Sequence, residues 1–318
     1  MLNLLKNELM KIFRRPGTYV MIGLLVVIVI GVGIIIKSQA ISDEGKNQQD
    51  WKQVLQAEID ESRKGLEDMQ NAPDNQIDFI KRDIEIKEYR IKHDLPPHED
   101  YSVWSFVDDA SNEIQFVGLF AIIIAAGIVV SEFNWGTIKL LLIRPIDRGK
   151  ILLSKYIAVI IYAFMLITIL FGLSSLVGFV LFGAPESSAP YLLYDDGKIA
   201  EQSMAVHLVI FYAMKSINMI MLATMAFMIS AVFRNSSLAI GLSIFLMLAG
   251  GQLTNLLAMK FEWAKYVLFA NTDLIQYFEG IPMVDGMTLT FSLMMLTVYF
   301  VIFHVLAFVV FKKRDVAA

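Results

Sequence analysis

The stretch EFNWGTIKLLLIRPIDRGKILLSK, from Glu132 to Lys155, separates two long apolar runs and decides how the whole chain is interpreted. Neither the run before it, residues 115–130, nor the run after it, residues 157–182, contains a charged residue. Within the stretch, five basic residues outnumber two acidic ones. Because short basic loops between apolar helices stay on the cytoplasmic side, the pattern predicts a membrane protein with a cytoplasmic connector.

The composition of the full chain agrees with this interpretation. Of the 318 residues, 56% are hydrophobic, and the mean hydropathy is +0.59, which exceeds that of ordinary soluble domains. A helix needs about 20 apolar residues to cross a bilayer, and the runs lack the alternation of a membrane barrel. Cysteine is absent, which excludes disulfides and thiolate catalysis.

We therefore expect an all-α membrane protein with six transmembrane helices. An amphipathic elbow helix over residues 1–17 is ended by Pro16-Gly17 and precedes the first transmembrane helix at 18–36. A signal peptide is the competing interpretation, because Ser38 and Ala40 resemble a cleavage site; the apolar run is long for one, and Lys37 lies beside the site. The other five spans lie in residues 114–318, at about 114–130, 157–182, 205–233, 238–258 and 287–311.

A polar segment at residues 37–113 interrupts this plan, with 19 acidic and 10 basic residues. Two apolar stripes at helical spacing, joined by a turn near residues 71–74, predict a helical hairpin between spans 1 and 2. Aromatic residues from 101 to 106 are expected to lie at the membrane interface. Residues 183–203 are expected to form a loop, and residues 260–285 a helix at the outer interface.

The distribution of charge predicts the orientation. Six spans place both termini on one side, and the segments on that side hold 13 basic and 4 acidic residues. The positive-inside rule then makes both termini cytoplasmic. The acidic 37–113 segment is extracellular in this arrangement, and the protein is expected in the plasma membrane.

No catalytic pattern emerges from the sequence. The four histidines are scattered, and no glycine-rich phosphate loop ends in Lys-Ser or Lys-Thr. We therefore predict no enzymatic activity, no metal, no bound cofactor and no nucleic-acid partner for this chain.

The 131–156 segment has the features of a docking element. Glu132 ends the preceding span, and Gly136 permits a sharp redirection of the backbone. A short helix can follow, capped by Thr137 and stopped by Pro145. We predict that an apolar ridge fills a groove of a cytoplasmic partner while two arginines pair with acidic residues or lipid phosphates. A plain basic loop that only orients the protein is the alternative. The ridge and the arginines are Ile138, Leu141, Leu142, Arg144 and Arg148.

These residues resemble the signature of the membrane subunits of type-2 ATP-binding-cassette (ABC) exporters. The whole-chain plan is similar to that family too, with an elbow helix, six spans and a cytoplasmic connector after the second. The 37–113 segment is larger than in minimal members of the family. The positions that match the signature are Glu132, Gly136, Thr137, Leu140, Arg144, Pro145, Arg148, Ile151 and Lys155.

The resemblance implies a bacterial half-transporter without enzymatic activity of its own. Two such permease subunits, identical or different, would pair within the lipid membrane, and each would dock on a separate ABC ATPase that binds ATP and Mg. The 131–156 segment would be the coupling helix between permease and ATPase, moving as a rigid lever when ATP binds.

The fourth span contains the candidate translocation path, marked by Lys215 and Asn218. A lysine inside an apolar run is costly, so either residues 205–214 lie at the interface and Lys215 snorkels, or Lys215 faces the path. Methionines of the same span can line a path or simply fill the core. A lining without charge networks favours a hydrophobic or amphipathic cargo, such as a peptide, an antibiotic or a lipid-like molecule.

Two other functions remain open from the sequence. The protein can be a membrane sensor or assembly protein whose outer hairpin binds a ligand. A secondary carrier is the third interpretation, although such carriers usually place charged or broken helices at the membrane midplane. Copurification with an ATPase would separate the exporter from both alternatives.

Overall fold

A computed structural model describes residues 1–43, 51–69, 73–96, 101–134, 147–184, 190–195 and 197–313. Most of these residues are helical, as the sequence predicts. The α-helices are α1 (Leu2–Phe13), α2 (Pro16–Asp43), α3 (Trp51–Asp68), α4 (Asp74–Lys92), α5 (Val103–Ala110), α6 (Ile114–Asn134), α7 (Arg148–Phe182), α8 (Met204–Phe233), α9 (Ser236–Ala258), α10 (Leu268–Asn271) and α11 (Leu289–Lys313).

Six helical segments of the described chain are long and apolar enough to cross a membrane, which confirms the predicted number. Their ends differ from the sequence-based boundaries. Helix α2 continues past residue 36 to Asp43. The second candidate span begins already at Val103, because α5 leads through a single 3-10 turn into α6. The six are Pro16–Gln39, Val103–Glu132, Arg148–Phe182, Met204–Phe233, Ser236–Ala258 and Leu289–Lys313.

Helices α6 and α8 form the centre of the bundle. Two thirds of the most apolar window of each is buried inside the chain, against about a fifth for α2, α9 and α11. Small residues allow this close packing, because the Gly118 backbone of α6 lies directly against Met219 of α8. The Ser230 hydroxyl donates to the Ala126 carbonyl at 2.6 Å, which adds a hydrogen bond between the two helices.

Phe106 of α5 is fully buried inside the chain. A residue that anchors the chain to lipid would have an exposed side chain instead. Its ring packs over Gly178 of α7 and reaches Gly33 of α2. A Cβ atom at Gly178 would lie 3.1 Å from the Phe106 ring, so the absence of a side chain there makes room for the phenylalanine.

Helices α3 and α4 lie against each other and carry complementary charges. Arg63 of α3 pairs with Glu88 of α4, and Lys87 of α4 lies 3.0 Å from Glu58 of α3. Burial lowers the pKa of Lys87, but the hydrogen bonds from its ammonium to Asp83 and Glu58 outweigh it and raise that pKa overall. Ion pairs therefore link the two helices.

Residues 191–202 correct the prediction of a loop at 183–203. They form an antiparallel pair of strands, β1 (Tyr191–Asp195) and β2 (Lys198–Gln202), with Tyr191 opposite Gln202. The Asp-Gly dipeptide at residues 196–197 is a strong hairpin signal, and Gly197 has a positive φ of 76°. Taken with its neighbours in the sequence, this dipeptide predicts only a loop.

The segment between α9 and α11 is also not the single helix that was expected. It contains two 3-10 turns and the one-turn helix α10. Two buried amide side chains form hydrogen bonds with its backbone. Asn271 donates to the carbonyls of Lys265 and Val267, and the Gln276 side chain accepts from the Met283 amide at 2.9 Å. Backbone groups that a helix would pair are paired here by side chains.

Candidate coupling site

Four charged side chains meet in the protein interior and form the centre of the candidate site, which we call the charge quartet: Glu8, Lys11, Glu132 and Lys155. The Lys155 ammonium lies 2.8 Å from Glu8 Oε2 and 3.0 Å from Glu132 Oε1. The Lys11 ammonium lies 3.0 Å from Glu8 Oε1 and 2.6 Å from Glu132 Oε1. Each of these side chains therefore contacts both groups of opposite charge.

Three helices bring the quartet together. Glu8 and Lys11 are three residues apart on α1 and therefore share one face of that helix. Glu132 lies in the last turn of α6, and Lys155 lies two turns into α7. The apolar residues Ile12, Val129 and Leu152 belong to the adjoining core. The quartet thus joins α1 to the helices that enter and leave residues 135–146.

Burial makes the pairing of these charges energetically important. The side chain of Lys155 is 1% exposed, and those of Glu8 and Glu132 are 4% and 5% exposed. Two acidic and two basic groups leave no net charge in the cluster. Removing one partner from a buried pair typically costs about 3–5 kcal/mol, because the other charge stays desolvated.

Lys11 lies at the edge of the quartet, and its side chain is 32% exposed. Burial alone would lower the pKa of its ammonium group. The hydrogen bond to Glu132 and the charge of Glu8 outweigh that effect, so the pKa of Lys11 lies above its ordinary value. Lys11 therefore stays charged at neutral pH and balances the second carboxylate.

Further contacts attach the N-terminal segment to the same place. The Arg15 guanidinium donates to the Ser131 hydroxyl at 3.1 Å, one residue before Glu132. The Thr18 hydroxyl donates to the Ile12 carbonyl at 2.6 Å and closes the bend between α1 and α2. Helix α1 is consequently held at both its centre and its end.

The start of α7 is fixed by a cap and by the end of α11. The Asp147 carboxylate accepts from the Lys150 amide at 3.1 Å, which is the N-cap of α7. The Arg148 guanidinium donates to the Lys312 carbonyl at 3.5 Å. Gly149 lies under the Lys312 side chain, where a Cβ atom would come within 2.6 Å of its Cε. This contact joins the last candidate span to the exit of the connector.

The structure describes three of the predicted coupling residues, namely Glu132, Arg148 and Lys155. It brings Glu132 and Lys155 into direct contact and adds Glu8 and Lys11, which are not among the predicted site residues. One signal was present: Glu8 is the single acidic residue in the basic first 17 residues. The remaining predicted residues lie outside the described ranges: Gly136, Thr137, Ile138, Leu141, Leu142, Arg144 and Pro145.

Lys215 and Asn218, the predicted path residues, have different surroundings. Helix α8 is continuous, so residues 205–214 do not form a separate interfacial helix. The Lys215 ammonium donates to the Ser111 hydroxyl at 2.6 Å and to the Asn112 side chain at 3.1 Å. Lys215 thereby joins α8 to the 3-10 turn before α6. Asn218 is exposed and makes no side-chain hydrogen bond to the described residues.

The methionines of α8 mostly belong to the core. Met219, Met221 and Met225 are each at most 5% exposed within the single chain. Met219 packs against Gly118 of α6. These three side chains therefore fill space between helices, which favours the core-filling role over the lining of a path.

A polar cavity of about 840 Å³ lies at the opposite end of the bundle from the quartet. Its walls come from α4, the β-hairpin and residues 276–287. Asn75 donates to the Pro282 carbonyl at 3.1 Å, and Arg82 donates to the Gly280 carbonyl at 3.4 Å, both across this cavity. Its charged lining residues are Asp78, Lys81, Arg82, Glu85 and Asp285.

A histidine and a tyrosine lie beside the same end of α8. The His207 ring stacks on Tyr191 with centroids 3.5 Å apart, and Glu279 accepts a hydrogen bond of 2.7 Å from Tyr191. Burial raises the pKa of the Tyr191 hydroxyl, and the hydrogen bond to Glu279 raises it further. No group of three or more His, Asp or Glu side chains in the described ranges is arranged to hold a metal ion.

Fold and site together define a helical membrane protein in which a buried charge quartet joins the N-terminal helix to two candidate spans. The chain belongs to the DUF2705 family of proteins of unknown function, whose family model matches residues 79–317. It is 50% identical over 319 residues to the uncharacterized protein YhcI of Bacillus subtilis (strain 168), covering all of both chains. It is 32% identical over 197 residues to the uncharacterized membrane protein YdbK of the same organism, covering 61% of this chain and 76% of that one.

Proposed function

We propose that this protein is the permease subunit of an ATP-driven ABC exporter and that residues 131–156 couple it to a separate ATPase. The charge quartet is the observation that carries the proposal. It joins the two ends of the connector to each other and to α1, so a force applied to residues 135–146 acts on a rigid frame. A partner can drive such a frame only if it binds one arrangement more tightly than the other.

The arrangement of the helices indicates how a movement of this frame would reach the other side of the membrane. In the proposed orientation both termini and the connector are cytoplasmic, and α1 is an elbow helix at the inner membrane surface. Tilting α6 and α7 together would move the Ser111–Glu113 turn and α5 at the outer end. Helix α8 would follow, because Lys215 bonds to this turn. The cytoplasmic connector is thereby linked mechanically to the extracellular side.

The proposed cargo is a hydrophobic or amphipathic molecule, such as a peptide, an antibiotic or a lipid-like compound. Among the described residues of α6, α8 and α9, Glu132 and Lys215 are the only charged side chains, and the former belongs to the quartet. A path along these helices would offer few ionic contacts to a cargo. Ion-coupled carriage is less favoured for the same reason.

Copurification tests the central claim. The tagged full-length chain is extracted from its host membrane in mild detergent, and we expect a cytoplasmic ATPase with bound nucleotide to accompany it. The purified complex in vesicles should then hydrolyse ATP. If no ATPase accompanies the chain, and ATP depletion leaves its cellular phenotype unchanged, the permease assignment is wrong.

Arg148→Glu tests the coupling segment itself. We expect ATP hydrolysis to continue in reconstituted vesicles while export falls, because the reversed charge faces the end of α11 and the exit of the connector. Lys64→Glu, the same charge change on the exposed surface of α3, is the matched control and should leave both activities at the parental level. Intact export in Arg148→Glu would refute a coupling role for this residue.

A second candidate function is a membrane sensor or assembly protein whose extracellular hairpin, α3 with α4, binds a ligand. The polar cavity between α4, the β-hairpin and residues 276–287 is the observation that favours it. Deletion of residues 47–92 distinguishes the two functions. A sensor would lose signalling without any change in flux, whereas an exporter would retain ATP-dependent flux through its spans.

A further inference from the structure

Five charged side chains line the polar cavity, and none of them forms an ion pair with a residue that the structure describes. Four of the five lie three or four residues apart on α4 and so share one face of that helix. The fifth comes from the segment before α11. Charges of both signs thus remain available to a ligand that carries both. The five residues are Asp78, Lys81, Arg82, Glu85 and Asp285.

Arg82 is the half-buried member of this set, whereas the other four are exposed. Its guanidinium donates to the Gly280 carbonyl at 3.4 Å and lies 5.2 Å from the centre of the Phe79 ring. A guanidinium has five N–H donors in a planar fork, so most of them are left for a ligand. A carboxylate fits that fork with two parallel hydrogen bonds.

A second cavity of about 230 Å³ adjoins the polar cavity, and we call it the side pocket. Arg82, Phe79 and Tyr194 line both spaces, so the guanidinium lies where the two meet. A ligand held by Arg82 can therefore place an apolar group in the side pocket, whose wall includes further apolar side chains. These are Ile86, Leu192 and Phe278.

The charges around the side pocket favour an anion. Its two carboxylates already have partners within the chain. Asp83 lies 2.8 Å from the Lys87 ammonium. Glu279 accepts a hydrogen bond of 2.7 Å from Tyr191. Arg90, by contrast, donates to a backbone carbonyl at 3.4 Å and forms no ion pair with the described residues. The anionic end of a ligand therefore belongs where the two cavities meet, and its cationic end belongs among the unpaired carboxylates of the polar cavity.

The spacing of the charges indicates the size of the ligand. Along the axis of α4, Arg82 lies about 6 Å from Asp78 and about 4.5 Å from Glu85. An extended peptide advances about 3.3–3.6 Å per residue, so two or three residues separate its charged ends by a matching distance. The carbon next to the carboxylate of a peptide also carries its last side chain, which would enter the side pocket.

Other classes of ligand match this pattern less well. A small cation would meet the positive charges of Lys81 and Arg82, and a small anion would meet three carboxylates. A zwitterionic lipid headgroup carries both charges. It has no apolar group beside its phosphate that would fill the side pocket.

We infer that the polar cavity and the side pocket together bind a short peptide with free termini and an apolar last residue. Arg82 binds the carboxylate, the acidic residues of the polar cavity bind the ammonium group, and the side pocket encloses the last side chain. This inference rests on the second candidate function, the extracellular sensor, and deepens it by naming the class of ligand. Binding alone requires neither a signal nor ATP.

Calorimetry with defined tripeptides tests the site on the purified full-length chain in detergent. We expect Ala-Ala-Leu to bind with one peptide per chain. Amidating its C-terminus, acetylating its N-terminus or replacing its leucine by glycine should each weaken binding about tenfold, because each removes one of the three contacts. Glycerophosphoethanolamine, the headgroup of a zwitterionic lipid, should not displace the peptide.

Two variants connect these losses to the proposed contacts. Arg82→Gln retains a hydrogen-bond donor, and it should weaken binding of Ala-Ala-Leu about tenfold while leaving that of the amidated peptide unchanged. A triple variant, Asp78→Asn with Glu85→Gln and Asp285→Asn, changes only exposed side chains and should weaken binding of Ala-Ala-Leu but not of the acetylated peptide. Lys64→Gln on the exposed surface of α3 is the matched control and should bind every peptide as the parent does.

Four results would each overturn the inference. Ala-Ala-Leu fails to bind, the capped peptides bind as tightly as the free one, glycerophosphoethanolamine displaces the peptide, or Arg82→Gln binds like the control. None of these results measures ATP hydrolysis, flux or signalling. Failure of the peptide site is therefore distinguishable from failure of the exporter function, which copurification tests, and of the sensor function, which the deletion of residues 47–92 tests.

Discussion

The Lys155 ammonium lies 3.0 Å from the Glu132 carboxylate, although the two residues are 23 positions apart in the sequence. Both side chains are buried, and both also contact α1, Glu132 through Lys11 and Lys155 through Glu8. The pair joins the end of α6 to the beginning of α7. The helices on either side of residues 135–146 are consequently held together independently of what the connector itself does.

Removing one member of this pair should destabilise the protein strongly. We expect Lys155→Met or Glu132→Gln to cost about 3–5 kcal/mol, because each leaves a buried charge without its full complement. The double variant leaves Glu8 and Lys11 as a neutral pair, so its loss should be smaller than the sum. Thermal unfolding in detergent measures all three, with Lys64→Met on the exposed surface as the control. Additive losses would contradict a coupled quartet.

The quartet also predicts how stability depends on pH. The pKa of Lys11 is raised above its ordinary value of 10.5. A raised pKa means that the stabilisation is fully present below the ordinary value and is lost as pH rises through the folded-state pKa. The difference in Tm between the parent and Lys11→Met should therefore be constant from neutral pH to about pH 10 and shrink only above it. A difference that vanishes below about pH 9 would contradict this assignment.

Two glycines of α7 should respond oppositely to alanine. A Cβ atom at Gly178 would lie 3.1 Å from the Phe106 ring and 3.3 Å from the Val103 backbone, so Gly178→Ala should cost about 1–3 kcal/mol. Nothing lies within 4 Å of the corresponding point at Gly172. Gly172→Ala should therefore be neutral or stabilise by up to about 1 kcal/mol. The two Tm values in detergent provide the comparison, and equal shifts would refute the close contact between α5 and α7.

Substitutions of Lys215 and Asn218 should have different effects, the first on stability and the second on transport. Lys215→Met removes two hydrogen bonds to the turn before α6 and should lower stability by about 1.5–3 kcal/mol. Asn218 is exposed and makes no side-chain hydrogen bond to the described residues, so Asn218→Ala should leave the Tm unchanged. If Asn218 lines the proposed path, its substitution should alter export in vesicles instead. A change in stability with Asn218→Ala and none with Lys215→Met would reverse these two roles.

Much of the fold was predictable from local sequence. Uncharged runs of about 20 residues predict spans because the bilayer imposes that length on any single helix. The β-hairpin was equally local, since the Asp-Gly dipeptide at residues 196–197 marks it. The segment after α9 was not predictable in the same way. Its backbone is satisfied by Asn271 and Gln276, and which carbonyls these amides reach depends on the folded chain.

The candidate site was predictable only in part. Glu132 and Lys155 stood out because charged residues adjoin apolar runs, and the resemblance to exporter subunits includes both. Their contact with Glu8 and Lys11 could not be read from spacing, because more than 120 residues separate α1 from the end of α6. Phe106 illustrates the same limit, since only the packed structure shows the glycines that receive its ring.

The sequence by itself determined that this is a helical membrane protein with six candidate spans, because hydropathy and length are properties of each segment alone. Tertiary structure alone decided which charges meet in the interior, where Lys215 is bound and which charges line the polar cavity. These features depend on how separate helices pack against one another. The Glu132 to Lys155 stretch illustrates both contributions. Its sequence predicts the connector, and only the packed structure shows that Glu132 and Lys155 contact each other.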